Sequence, residues 1–322
     1  MNASRVRGIA RLLALVILAG LFGLAAWRLD LGRVLLELTR IHPLWVALAL
    51  VSYFAILPLW ALQWSLLAPA DRGARSSASR MFGVVAMTSS VLNTTPLLVG
   101  EAAGIYFLVT CAALERGAAL SVLAMDQLLV GIAKVFVLLA AAWTNDLPVW
   151  MERGREVLGV GVALLLLGLV CAAWRADAMS RLAARVLPIR LARLLATSGT
   201  ALAPLRSVRR GGGALLLALA KKTVELLAIV CVQHAFGLAL PFSSALLVLA
   251  ALNVATLLPI VPGNIGIYEA AVVLAYGRFG VSPERALGIA VIQHACYFAA
   301  LAIPGYRWLA RDAVSRSAAA AS

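Results

Sequence analysis

The stretch LLPIVPGNIGIYEAAVV, residues 257–273, lies in an otherwise hydrophobic chain, yet it holds two prolines, two glycines, an asparagine and a carboxylate, Glu269. Proline removes a helix donor and glycine favours turn conformations, so this run predicts a helix that breaks and restarts. The surrounding composition says in what solvent. Of 322 residues, 63% are hydrophobic and 13% charged, with a mean hydropathy of +0.97. A soluble domain needs more polar surface than that. The expected class is an all-α polytopic membrane protein, with residues 1–322 forming a single transmembrane domain and nothing left over for a soluble one.

Runs long enough to cross about 30 Å of hydrocarbon fall near 8–27, 44–67, 118–143, 157–174, 214–237 (with a start nearer 221 as the alternative) and 286–305. Two more apolar stretches, 81–116 and 242–279, are interrupted midway and read as re-entrant or short paired helical hairpins. The net charge of +14 is distributed by topology. If the spans are threaded in order, eighteen arginines fall on one side and seven on the other. The positive-inside rule then places both termini in the cytoplasm, at the inner (plasma) membrane, and removes nucleic acid as a partner. Arg5, Arg7 and Arg11 precede the first apolar run, but that run is long and lacks a clear A-x-A site, so it reads as an uncleaved span. The basic segment at about 175–213 interleaves arginines with Leu182, Val186, Leu187 and Ile189. It is expected to lie on the inner leaflet and attract anionic lipid, at about 1 kcal/mol per arginine. Cys111, Cys171, Cys231 and Cys296 are isolated and show no metal-ligand spacing.

The opening stretch has a counterpart. LNTTPLLVGEAAGIY (92–106) and LNVATLLPIVPGNIGIY (252–268) both start Leu-Asn, pass a proline and end Gly-Ile-Tyr. Downstream, ALERGAALSVLAMDQL (113–128) aligns with SPERALGIAVIQHA (282–295), setting Asp126-Gln127 against Gln293-His294. The units run from about 44 to 143 and from about 214 to 305. Each interrupted stretch returns to the face it entered, so the first hairpin begins in the cytoplasm and the second outside, and the two units are inserted upside down relative to each other. Inverted repeats with broken helices characterise transporters. The tip Pro262-Gly263-Asn264, with Gly266 just beyond, is expected to sit inside the hydrocarbon, where irregular backbone is tolerated only if buried or facing a cavity. Asn264 is the expected N-cap of the next helix, whose free N–H groups suit an anion.

PGNIGIYEAAVVLAYGRFGVSPERAL resembles the P-G-G-x-G-x-x-E signature of the lysylphosphatidylglycerol synthase transmembrane-domain family, and VGEAAGIYFL resembles its earlier G-E-x-x-R element. The resemblance spans most of the chain. It implies a membrane domain that moves lipids between leaflets, without the soluble aminoacyl-transfer domain that other members carry. Three positions depart from the pattern. Gly104 and Tyr268 stand where the family commonly has arginine, and Asn264 replaces a glycine, so the usual head-group preference does not transfer.

Ionisable groups inside a membrane are functional candidates by default. Glu269 and Glu101 follow the two breaks, and either they stabilise helix-start N–H groups or they contact substrate or a coupling proton. Asn93, Asn253, Tyr106 and Tyr268 complete the candidate substrate-binding set with Gly263, Asn264 and Gly266. Asp126, Lys134 and His294 are candidates for proton or ion coupling. Asp126 and Lys134 lie about 12 Å apart along one helix and so need partners elsewhere. Lys221, Lys222 and Glu225 are explained by local i, i+3 and i+4 pairing, with the lysines snorkelling to the cytoplasmic surface. No P-loop or other cofactor motif is present, and no nucleophile–base or metal spacing, so catalysis and cofactors are not expected. The expected role is translocation of a lipid or lipid-linked molecule. The alternatives are a gradient-coupled small-solute transporter, an accessory subunit docking a lipid-synthesising enzyme, and a lipid-modifying enzyme.

Overall fold

A computed structural model describes residues 31–69, 78–95, 99–174, 208–257 and 261–311. The expected span at 8–27 and most of the basic segment lie outside these residues. Among the described residues every regular element is helical, and the protein is an all-α, multi-pass membrane protein. Three helical stretches among the described residues are long and apolar enough to cross a bilayer: Pro43–Leu67, Arg116–Thr144 and Pro283–Arg311, with mean hydropathies of 2.0, 2.1 and 1.8.

In chain order the helices are α1 (Leu31–Leu38), α2 (Pro43–Phe54), α3 (Ile56–Leu67), α4 (Ala78–Thr94), α5 (Val99–Thr110), α6 (Arg116–Thr144), α7 (Val149–Trp174), α8 (Val208–Ala235), α9 (Phe242–Ala255), α10 (Ile267–Gly277) and α11 (Pro283–Leu301). The sequence accounts for the kinks. Pro58 has no N–H to offer the carbonyl of Phe54, and the first span divides into α2 and α3 at Ala55. Pro304 interrupts the last span in the same way, around Ala302. There the Ser90 hydroxyl donates to the Ala302 carbonyl and ties this span to α4.

Both interrupted stretches form two-helix hairpins, α4 with α5 and α9 with α10. Their arms of 17, 12, 14 and 11 residues reach about 17–26 Å at 1.5 Å per residue, each short of the hydrocarbon thickness. Twice the chain runs through the same succession of span, broken hairpin and long helix. Contacts across the two successions are reciprocal: α4 packs on α11 and α9 packs on α6. The second long stretch begins at Val208, earlier than the predicted 214 or 221. Leu44, Val51, Phe136, Leu139 and Leu216 face outward, as suits a surface bathed in lipid chains.

The second break differs in detail from its prediction. Gly263 and Asn264 both take left-handed conformations, with φ of 64° and 54°. The N-cap of α10 is Gly266 at φ 87°, not Asn264, because the chain needs a second glycine turn before the helix can start. Gly263 also sits where a Cβ would lie 3.2 Å from the Asn93 carbonyl oxygen, so the tips of the two hairpins meet.

Candidate functional site

Where the tips meet, the helices enclose a cavity of about 280 Å³. Its wall takes Tyr53 from α2, Trp60 from α3, Ser89 and Asn93 from α4, and Glu101 from α5. α6 adds Asp126, Gln127 and Lys134, and α8 adds Lys221, Lys222 and Glu225. Asn253, Thr256, Gly263, Asn264 and Tyr268 come from the second hairpin, His294 and Tyr297 from α11. Buried ionic groups at this density need partners, and most have them.

The partner Asp126 needs is on α8. Lys221 Nζ lies 3.5 Å from Asp126 Oδ1, with both side chains buried. Trp60 Nε1 donates to Asp126 Oδ2 at 3.1 Å, and the Trp60 ring also lies beneath the Lys221 ammonium at 5.3 Å. On the next residue of α8, Lys222 Nζ donates to Glu225 Oε2 at 2.6 Å and to Asn253 Oδ1 at 3.1 Å. The predicted i, i+3 pairing therefore holds for Lys222. The predicted snorkelling does not: Lys221 is 6% exposed and both lysines face the cavity. The reason is the helix start. Beginning at Val208, α8 carries Lys221 about 20 Å along its axis before it reaches the wall.

A second network joins the second hairpin to α11. Glu269 Oε2 accepts the Gly266 N–H at 2.6 Å, so the free donor at this helix start is met by the chain's own carboxylate. Glu269 Oε1 lies 2.6 Å from His294 Nδ1. The Tyr268 ring stacks on His294 with centroids 4.1 Å apart, and Gln293 Nε2 donates to the Tyr268 hydroxyl at 2.8 Å. Of the two roles open to Glu269, it plainly performs capping, and it also holds the histidine that faces the cavity.

Nine predicted residues thus share one wall: Asn93, Glu101, Asp126, Lys134, Asn253, Gly263, Asn264, Tyr268 and His294. Gly266 and Glu269 lie behind it, and Tyr106 lies apart. Tyr106 is 49% exposed beside Phe107, because five residues beyond Glu101 corresponds to about 140° around the helix. The two asparagines differ in bonding. Asn93 Nδ2 donates to the Ser89 carbonyl of its own helix at 2.8 Å, whereas Asn253 receives Lys222. Gly104 is packed so that a Cβ would sit 3.0 Å from Thr88 Cγ2, leaving no room for the arginine common at that position.

Sequence reasoning undervalued Lys222, Lys221 and Glu225 and did not select Trp60, Tyr53 or Tyr297. The signal for the first three was present, since three ionisable residues within five positions of a long apolar helix are costly.

Neither the curated proteins nor the solved structures contain a match to this chain. The family described as Lysylphosphatidylglycerol synthase TM region matches residues 11–305. That family is a membrane domain of lysylphosphatidylglycerol synthase-like proteins, and its role is lipid-related. The chain, with its two broken hairpins around a charged cavity, belongs to the lysylphosphatidylglycerol synthase transmembrane-region family.

Proposed function

We propose that this protein translocates a lipid, or a lipid-linked molecule, between the leaflets of a bacterial inner membrane. The observation that carries the reading is the cavity itself: a polar, charged space among apolar helices, built where two helix breaks meet. At about 280 Å³ it lies at the small end of ligand cavities, which run from about 300 to 1,000 Å³. A head group fits there and acyl chains do not, so the chains remain in the bilayer while the head group crosses. The hairpins dip into the membrane as the moving parts of an inverted repeat, and both termini face the cytoplasm. No bond of the substrate changes, and movement follows a gradient or is passive. The arginines between 175 and 210 gather anionic lipid at the inner leaflet.

Purified protein reconstituted into vesicles with fluorescent lipids tests this reading. Leaflet exchange faster than in protein-free vesicles is expected. Absence of exchange across a broad lipid panel would overturn it in favour of a small-solute carrier or an accessory subunit. In the accessory case, removing several arginines between 181 and 210 would abolish function while substitutions at the tips would not.

A further inference from the structure

The cavity contains a local imbalance of charge. On α6 and α8, three lysines face two carboxylates: Lys221 is matched by Asp126 and Lys222 by Glu225. Lys134 has no carboxylate within 4.0 Å and no hydrogen bond among the described residues, although it lies within electrostatic reach of Lys222 and Glu225. Glu101, the remaining carboxylate of the wall, stands on the first hairpin and forms no ion pair with these lysines among the described residues.

Asn253 supplies a second, independent observation. The residue is 3% exposed and lines the same cavity. Lys222 can only donate, so the atom it meets must be the amide oxygen, and this fixes the orientation of the amide. Nδ2 is then left as a buried donor with no partner among the described residues. A buried donor without an acceptor and a cation without an anion both carry a cost that a single ligand would remove.

We infer that Lys134 and Asn253 Nδ2, with Lys222 behind them, form an anion subsite that takes the phosphate of the translocated molecule. The inference rests on the translocation reading and adds the charge class of the substrate. The shared chemistry is a phosphate oxyanion, borne by a lipid phosphodiester or by free phosphate. Lys222 remains held by Glu225 and orients the amide, while Lys134 supplies the unmatched charge.

The test is binding to the full-length protein in neutral detergent, so it does not depend on leaflet exchange. The probes are dihexanoyl-phosphatidylglycerol below its micellar concentration, inorganic phosphate, and uncharged dihexanoylglycerol as the control. The expected result is saturable binding of the phosphodiester, weakened at least about tenfold in Lys134→Gln and in Asn253→Ala, the scale of one charge-assisted hydrogen bond. Lys134→Arg should bind as the native protein does, and Lys134→Gln without ligand should melt no lower than the native chain, since it removes an unmatched charge. Saturable binding of inorganic phosphate alone, with the same variant pattern, supports the subsite and names free phosphate as its source. Binding that is equal for the charged and uncharged probes, or indifferent to both substitutions, overturns it. Exchange without charge-selective binding removes only the subsite, and charge-selective binding without exchange removes only the translocation reading.

Discussion

Removing Lys221 is the sharpest perturbation of the ionic wall. Lys221→Met keeps the length of the side chain but leaves Asp126, 3% exposed at its side chain, without its cation. Breaking a buried pair from one side costs about 3–5 kcal/mol, because the surviving charge is left in a poor solvent. Two features of this site favour the lower end. Trp60 Nε1 still donates to Asp126, and the cavity admits water beside it. The expected loss is therefore about 3 kcal/mol, roughly a hundredfold in the folded-to-unfolded ratio. Asp126→Asn in the same chain removes the stranded charge while leaving an oxygen for Trp60, so the double variant should recover most of the loss. The assay is reversible unfolding in mixed micelles on a four-member cycle, read as a coupling energy. A coupling of about 2 kcal/mol or more is expected for partners in direct contact. Single variants that each cost under about 1 kcal/mol, or a double variant equal to the sum of the singles, would refute the pairing argument.

Three further outcomes follow from the geometry. Gly266→Ala forces a side chain onto φ 87° and should cost about 1–3 kcal/mol, seen as a lowered thermal midpoint; an unchanged midpoint would contradict the cap described. Gly305→Ala places a Cβ 2.0 Å from the Ala86 carbonyl oxygen. The last span must then shift from α4, which should destabilise by about 1–3 kcal/mol in the same measurement. Glu269→Gln retains an oxygen for the Gly266 N–H but loses the charge beside His294. Its midpoint should stay close to native while leaflet exchange slows about tenfold, the effect of about one charge-assisted bond, and native-rate exchange would leave Glu269 as a cap alone.

The breaks were legible because proline and glycine act locally. The Pro262–Gly266 run marks a place where the helix ladder fails, whereas the expected spans 44–67 and 286–305 took no account of Pro58 and Pro304, which interrupt them by the same chemistry. Nine residues of the wall were legible too, since an ionisable residue in an apolar span has few places to go. What sequence could not supply was pairing across helices. Asp126 and Lys221 are 95 positions apart and meet only because α8 packs on α6. An error of several residues in the start of α8 moved Lys221 from the cavity to the membrane surface. Tyr106 was misjudged for a related reason: the repeat matched its letters to those of Tyr268, but not the face of the helix on which it falls. The choice of Asn264 as cap failed because its propensity was outweighed by the backbone turn that glycine alone completes at 266.

The central claim is that a lipid head group crosses through this cavity. It is tested most directly by plugging the cavity in working protein. Thr256 lines the wall, and a single Thr256→Cys, in a chain with Cys111, Cys171, Cys231 and Cys296 replaced, offers a site for a bulky maleimide. Leaflet exchange is measured in the same vesicles before and after labelling. The account predicts protein-dependent exchange that falls to the protein-free level once the label is attached; exchange that continues unchanged with the label fully incorporated would contradict it.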